Sequence, residues 1–516
     1  MGMKKSVLVL ASVALAVGLL FVGSYNGTTG EMGEAQAETV TAATTQPNIV
    51  FILADDMRKD ELKYMPQTLS MLKNKGMTFD NAFVSHALCC PARATIMRGQ
   101  YAHNTGVWSN TSTDSSSATS GGLQAYKANG GETDNIATRL DDAGYRTGLF
   151  GKYLNGYDGS TIPAGWDRWF GGANMDGDEY YNYDVNDSGT IRHFGSKSSE
   201  YLTDVLSRKT NTFINNSASQ GQPFFAYVSP VAPHDPATPA PRYLHAYDGI
   251  KAPRPPSFNE ADVSDKPPWV SQQPRFSSSQ IARIDQHQEE RAETLRALDD
   301  LVAGVVSSLS NAGVMDNTYI FFTSDNGYHE GEHRITYGKW RPYEEDINMP
   351  LLVRGPDPRT GTTPVVRPGS STFKMALNTD YMPTFTDLAC SPDPTLCDTQ
   401  SWTYLPDGRS LTPVLKENAA AWRNAILLEA PANNSLPYRP AYRGIRTVNT
   451  STTTKGVYIE YDSGERELYD LNADLYELTN KYNAAAPPTT LVSRLQALKN
   501  CGGADALTCQ AAEDAP

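Results

Sequence analysis

The sequence predicts an α/β fold: a large, mainly parallel sheet sandwiched by helices, plus a small C-terminal antiparallel sheet with a helix. Three observations predict it. Short apolar runs rich in β-branched and aromatic residues recur along the chain, as in "PNIVFILADD", "PFFAYVSP" and "TYIFFTSD". Stretches with helical spacing separate them, which is the pattern of strands joined by crossover helices. After about Trp422 the alternation stops and short strands follow one another closely.

Taken in order, Asn48–Ala54 reads as a buried strand, rich in β-branched residues and followed by two acids. "MPQTLSMLKNKG" reads as a helix stopped by Gly76. "DNIATRLDDAGY" and "RTGLFGKY" form the next helix and strand, and "SEYLTDVLSRKTNTFINN" and "PFFAYVSP" the pair after that. A long helix around Arg283–Ala312 leads into "TYIFFTSD". Gly156–Lys197 is rich in Gly, Asp, Tyr and Asn, and Pro230–Pro274 is rich in proline; both read as long surface loops. The late strands are "NAILLEA", "AYRGIRTV", "KGVYIEYD" and "ERELYDL", followed by a helix near Thr490–Lys499. The expected organisation is residues 1–37 as a signal peptide, 38–46 as a linker, 47–421 as the α/β domain and 422–516 as a C-terminal subdomain.

Composition narrows the class. With 39% hydrophobic and 20% charged residues, the chain of 516 residues has the make-up of a packed globular protein. Lys+Arg number 44 and Asp+Glu 58, a net charge of −14, which excludes a sequence-independent nucleic-acid binder. An anionic substrate would need local positive charge. Lys4 and Lys5 precede the apolar run "SVLVLASVALAVGLLFVG", and "AQA" at 35–37 resembles a cleavage site. The protein is expected to be secreted or extracytoplasmic, with no membrane partner unless this segment stays uncleaved as an anchor. Export permits disulfides. Of the six cysteines, Cys390/Cys397 and Cys501/Cys509 each enclose a short loop and read as local bridges, although sequence leaves the connectivity open.

Chemistry in such a sheet gathers at the carboxyl ends of strands. Those ends carry Asp55 and Asp56, Asp325 and Asn326, Lys152, and His234 in "SPVAPHDP". The two acidic pairs supply oxygen donors alone, the set that suits calcium or magnesium over zinc. Any one pair could equally be a turn or a helix cap. The remaining cysteines, Cys89 and Cys90, stand side by side in "SHALCCPARATIMRGQYAHN". Adjacent cysteines do not bond to each other without strain. Pro91 suits the first turn of a helix, which sets Cys89 at a helix N-terminus with Arg93 one turn on. On these facts alone, a buried structural cysteine beside a surface arginine is the simpler reading.

"CCPAR" also fits the Cys-x-Pro-x-Arg signature of type I sulfatases, members of the alkaline phosphatase superfamily. "PNIVFILADD", "GKYLNGY", "APHDP", "SDNGYHEGEHRITYGKWRPYEEDINMPLLVRGP" and "LYDLNADLYELTN" resemble sulfatase segments in the family's order, and "CCPAR" with "GKYLN" is most similar to the N-acetylglucosamine-6-sulfatase branch. The resemblance implies that a formylglycine-generating enzyme oxidises Cys89 to formylglycine during maturation. It implies that Asp55, Asp56, Asp325 and Asn326, with the modified Cys89, hold one divalent cation, calcium. One hydroxyl of the hydrated aldehyde would attack sulfur, Asp325 taking its proton, and the second would expel sulfate. Arg93, Lys152 and Lys339 would neutralise the sulfuryl oxygens, and His234 with Lys339 would serve the leaving oxygen. Asn155, His329 and His333 are candidates for the substrate pocket. Many sulfatases carry histidine where this chain has Leu154, so the usual base for sulfate release is missing there.

The expected function is hydrolysis of a sulfate monoester on a sugar or aryl alcohol, with a sulfated small molecule or glycan as substrate. The alternatives are a phosphonate monoester or phosphodiester hydrolase of the same superfamily, and an inactive binder of sulfated glycans.

Overall fold

The computed structural model describes residues 46–111, 121–175, 179–356, 366–390, 393–397, 402–432, 440–449, 454–502 and 507–515. The expected signal segment and most of the linker lie outside them. Among the described residues no helix is long and apolar enough to cross a membrane.

The apolar runs become strands because their side chains can be buried on both faces of a sheet. The strands are β1 (Asn48–Ala54), β2 (Met77–Phe79), β3 (Ala82–Phe83), β4 (Arg146–Gly151), β5 (Arg168–Ala173), β6 (Tyr183–Asp187), β7 (Thr190–Phe194), β8 (Phe224–Ser229), β9 (Thr318–Ser324), β10 (Leu351–Arg354), β11 (Ser370–Thr372), β12 (Ala376–Leu377), β13 (Ala425–Ala430), β14 (Tyr442–Asn449), β15 (Thr454–Tyr461) and β16 (Arg466–Asp470). Among the described residues ten of them form one sheet in the order β11-β2-β10-β9-β1-β8-β4-β5-β6-β7. Its centre, β9-β1-β8-β4-β5, is parallel, and antiparallel strands extend both sides.

In β1, successive side chains point to opposite faces. Ile49, Phe51 and Leu53 join the core formed with the helices Cys89–Arg98, Ile136–Asp142 and Tyr381–Cys390. Val50 and Ile52 join the core formed with the helices Leu202–Ser219 and Ser278–Asn311. Each fully buried side chain of this size contributes about 1.5–3 kcal/mol. The long helix begins at a capping box, with Gln280 N–H donating to Ser277 Oγ (3.3 Å) and Ser277 N–H to Gln280 Oε1 (2.9 Å).

The four late strands form an antiparallel sheet in the order β13-β14-β15-β16. Ile426, Leu428 and Ile459 point to one face of it and Leu427, Ile445 and Tyr458 to the other, and all of them join a core that includes Leu495, Trp340 and Tyr343. The expected late helix is Thr489–Lys499, and a further helix, Leu507–Asp514, follows. Cys390–Cys397 and Cys501–Cys509 are disulfide-bonded, while Cys89 and Cys90 are buried and take no part in a disulfide.

One expectation is corrected. Gly156–Lys197 is not simply a loop, because it contains β5, β6 and β7. β6 and β7 pair as a hairpin in which Asp187 faces Thr190. Its two turn residues, Ser188 (φ 49°) and Gly189 (φ 94°), have the left-handed backbone of a tight hairpin turn. β7 is largely exposed, so its polar side chains hide the apolar signal of a strand. Pro230–Pro274 does remain almost without regular structure, apart from a four-residue helix at Pro268–Ser271.

Candidate active site

The parallel register brings the strand ends together. β1 pairs with β9 from Asn48↔Thr318 to Ala54↔Ser324, so Asp55 and Asp325 emerge side by side. β4 pairs with β8 up to Gly151↔Ser229, which places Lys152 on the same edge. Gly151 is required there: it has φ 113°, and a Cβ on it would lie 2.0 Å from Ser229 O. The Cys89–Arg98 helix presents its N-terminus to this edge, and all ten of its residues are buried. Asn110 Oδ1 accepts from Cys90 N–H at 2.9 Å, satisfying one of the first-turn donors.

Cys89 Sγ lies 3.5 Å from Asp55 Oδ1, 3.9 Å from Asp56 Oδ1 and 2.9 Å from Lys339 Nζ. Lys339 Nζ also donates to Asp56 Oδ2 at 2.6 Å, and His234 Nε2 is 3.5 Å from the same oxygen. Lys152 Nζ pairs with Asp55 Oδ2. Arg93 spans the acids: Nε donates to Asp325 Oδ2 at 2.8 Å, and Nη2 is 3.4 Å from Asp55 Oδ2. Its Nη1 donates to Ser229 Oγ at 2.6 Å. Asn326 Nδ2 donates to Asp56 Oδ1 at 2.6 Å.

Asp56 adopts a left-handed backbone, φ 65°, which an aspartate takes only when its surroundings hold it there. Its carbonyl accepts from Arg291 Nη2 at 2.7 Å, and its N–H donates to Asp325 Oδ1 at 3.1 Å. Arg291 is in turn clamped by both oxygens of Glu61, at 2.8 and 2.7 Å.

Charge is balanced tightly here. Burial alone would raise the Asp55 pKa, but Lys152, Arg93, His234 and Lys339 outweigh it and hold Asp55 well below the ordinary carboxylate range. Burial and the neighbouring Asp55 push Asp325 up to about 6 against the pull of Arg93. Burial also drives the Cys89 thiol pKa upward, with Asp55 adding to it. Lys339 is held charged: burial works against its charge, and Asp56, Cys89 and Asp55 prevail. Only His234 and Lys339 reach outward, with side chains 15% and 12% exposed, whereas Asp55, Arg93 and Asp325 are fully enclosed.

The structure therefore gathers Asp55, Asp56, Cys89, Arg93, Lys152, His234, Asp325, Asn326 and Lys339 into one cluster. Of these, Asp55, Asp56, Cys89 and His234 each have a ligand atom within 4.8 Å of the others. His329 and His333 are fully buried and make their hydrogen bonds elsewhere: His329 Nδ1 to Asp346 Oδ1 (2.5 Å) and His333 Nδ1 to Glu260 Oε2 (2.7 Å). Asn155 is buried beside the strand edge, its carbonyl accepting from Leu123 N–H at 2.8 Å. Leu154 belongs to the apolar core, so that position offers no proton acceptor. Sequence reasoning passed over Ser229 and Arg291. Ser229 could have been found as the last residue of a predicted strand, but Arg291 lies in mid-helix, where nothing marks it.

With this geometry established, comparison with known proteins gives a consistent result. The sulfatase family model matches residues 47–390, and the N-sulphoglucosamine sulphohydrolase C-terminal model matches residues 331–500. Human N-acetylglucosamine-6-sulfatase is 33% identical, the alignment covering 96% of this chain and 90% of that protein. The Drosophila melanogaster extracellular sulfatase SULF-1 homolog is 35% identical over 76% of this chain, but the match spans only 33% of the fly protein. Among solved structures, BT4656 in complex with its substrate D-glucosamine-2-N,6-O-disulfate shares the fold, with a TM-score of 0.68, 24% identity, and coverage of 88% of this chain and 97% of that one. The motif around Cys89, the strand-end cluster and these matches agree: the chain belongs to the sulfatase family and is a sulfuric ester hydrolase.

Proposed function

We propose that the protein is an exported sulfatase acting on a sugar sulfate of the glucosamine type, with formylglycine at position 89 and one calcium ion. The convergence of two acids and a lysine on Cys89 Sγ, at 3.5, 3.9 and 2.9 Å, carries this reading. The N-acetylglucosamine-6-sulfatase relatives support the sugar class. On this reading residues 47–421 form the catalytic unit and 422–516 a C-terminal subdomain.

The residues present fit a hard cation. Asp55, Asp56, Asp325 and Asn326 offer oxygen donors, and Asn326 Oδ1 is buried with no hydrogen-bond partner. Together with position 89 they would hold the ion. The cation would supply charge stabilisation and acidify a hydroxyl, and the aldehyde hydrate would supply one hydroxyl to capture the sulfuryl group and another to expel it.

The side chains divide the remaining work. Arg93 and Lys152 are fixed in place before substrate arrives, so their charge meets the sulfuryl oxygens without reorganisation. Asp325 would take the proton of the attacking hydroxyl, while Lys152 and Arg93 hold Asp55 ionised. Lys339 and His234 form the outward edge of the cluster, where the leaving sugar oxygen would arrive, and would donate its proton. The nucleophile–sulfur bond forms as the sulfur–sugar oxygen bond breaks.

The test is mass analysis of the Cys89 peptide from protein made in a host with the maturation enzyme. An aldehyde or its hydrate is expected; cysteine alone overturns the assignment and favours the inactive-binder alternative. Matched aryl sulfate and phosphonate esters should be cleaved in favour of the sulfate, and the reverse preference would favour the phosphonate hydrolase. Asp325→Ala is expected to lose both bound calcium and turnover; unchanged calcium binding removes Asp325 from the metal set.

A further inference from the structure

A second buried cluster carries donor atoms that the described protein leaves unused. One ring nitrogen of His333, one carboxylate oxygen of Glu345 and one of Glu477 lie within 4.8 Å of one another. His333 is fixed from behind: its backbone N–H donates to Ser257 O at 2.8 Å, and Nδ1 meets Glu260 Oε2 at 2.7 Å. This leaves Nε2, on a fully buried ring, with no hydrogen-bond partner. Glu477 is 2% exposed; its Oε2 accepts from Glu344 N–H at 3.1 Å, while Oε1 has no partner. Glu345 Oε2 has none either.

Three buried acceptors without donors, on side chains gathered this closely, are costly to leave unsatisfied. Protons or a cation can relieve the cost. Glu260 holds Nδ1, so Nε2 is the ring nitrogen left open. A neutral imidazole whose far nitrogen is held by a carboxylate is the form that ligates metals.

We propose that His333, Glu345 and Glu477 form a second divalent-cation site, separate from the Cys89 cluster, for an ion of the zinc or manganese class. One imidazole and two carboxylates make a softer donor set than the strand-end oxygens, and this selects against calcium. The ion would join three distant segments: the loop that also carries Lys339, the short helix Glu344–Ile347, and the turn after β16. A cavity of about 650 Å³, lined by Arg58, Arg254, Glu332 and Glu345 among others, reaches one of the three residues, Glu345. The site stands independently of the reaction assigned to position 89.

The test uses the full chain, stripped with chelator and then equilibrated with Zn²⁺ in excess Ca²⁺, with bound metals counted by atomic emission. One zinc per chain is expected beside one calcium. In Glu477→Gln and His333→Gln, zinc affinity should fall at least about ten-fold with calcium retained, and zinc should no longer raise the melting temperature. Wild-type protein that binds no zinc under these conditions overturns the proposal, as do variants with unchanged zinc affinity. Should the variants fail to fold, the wild-type zinc count decides: one zinc per chain held in excess Ca²⁺ supports the site, and none overturns it.

Discussion

Two buried acidic clusters in this protein are built on opposite terms. Around Cys89 every acid faces a cation: Asp55 meets Lys152 and Arg93, Asp56 meets Lys339, and Asp325 meets Arg93. Around His333, acid faces acid: Glu344, Glu345 and Glu467 all push the Glu477 pKa upward. The first arrangement holds Asp55 ionised in a low-dielectric site, as a ligand must be. The second leaves its carboxylates to hold protons or to be satisfied from outside. Burial is common to both clusters, so what separates them is the identity of the neighbours.

The sharpest way to break this contrast is to turn the first cluster into the second. Arg93→Ala would leave Asp325 and Asp55 enclosed without their shared guanidinium. Removing one partner of a buried pair costs about 3–5 kcal/mol, and that loss is expected in chemical denaturation, along with turnover. Arg93→Lys keeps the charge but not the fork that reaches Asp325, Asp55 and Ser229 together, so an intermediate loss is expected. A change under about 1 kcal/mol in Arg93→Ala would mean that the acids do not depend on their cations.

A second comparison separates charge balance from chemistry. His234 touches Asp56 at the outward edge, and its side chain is 15% exposed, so its contribution to stability should be small. His234→Gln is expected to lower kcat about 10²- to 10⁴-fold, the range for loss of a general acid, with stability changed by less than about 1 kcal/mol. A rate within a few-fold of wild type would leave Lys339 as the sole proton donor.

The first cluster was legible in the sequence because its members end apolar runs or sit in a dense motif. Asp55, Asp325 and Lys152 follow predicted strands directly, and parallel pairing makes consecutive strand ends neighbours. Cys89 and Arg93 lie one helical turn apart. The second cluster was not legible. Glu345 sits in "PYEEDI" and Glu477 in "LYELTN", and neither follows a predicted strand end directly. Only the docking of the late sheet against the Trp340–Tyr343 segment brings them to His333. β7 was missed for a different reason: an exposed strand carries no apolar period to be read.

A third group lies between these extremes and gives the smallest expected effect. His287 bridges Asp235 and Glu330, with Nδ1 3.0 Å from Glu330 Oε1, and Asp235 also accepts from Tyr328 Oη at 2.7 Å. Burial and Arg291 disfavour its charge, but the two acids prevail and raise its pKa from 6.5 to about 9. A histidine raised in the folded state adds stability that is complete below its unfolded pKa and is lost as pH rises through the folded value. Stability should therefore fall between about pH 6.5 and pH 9.5, by an amount on the order of 1–3 kcal/mol. His287→Gln should flatten that slope in urea denaturation series while destabilising the protein at pH 6.5. An equal slope in both proteins would show that the bridge is neutral, and would place Asp235 and Glu330 with the acids that face acids.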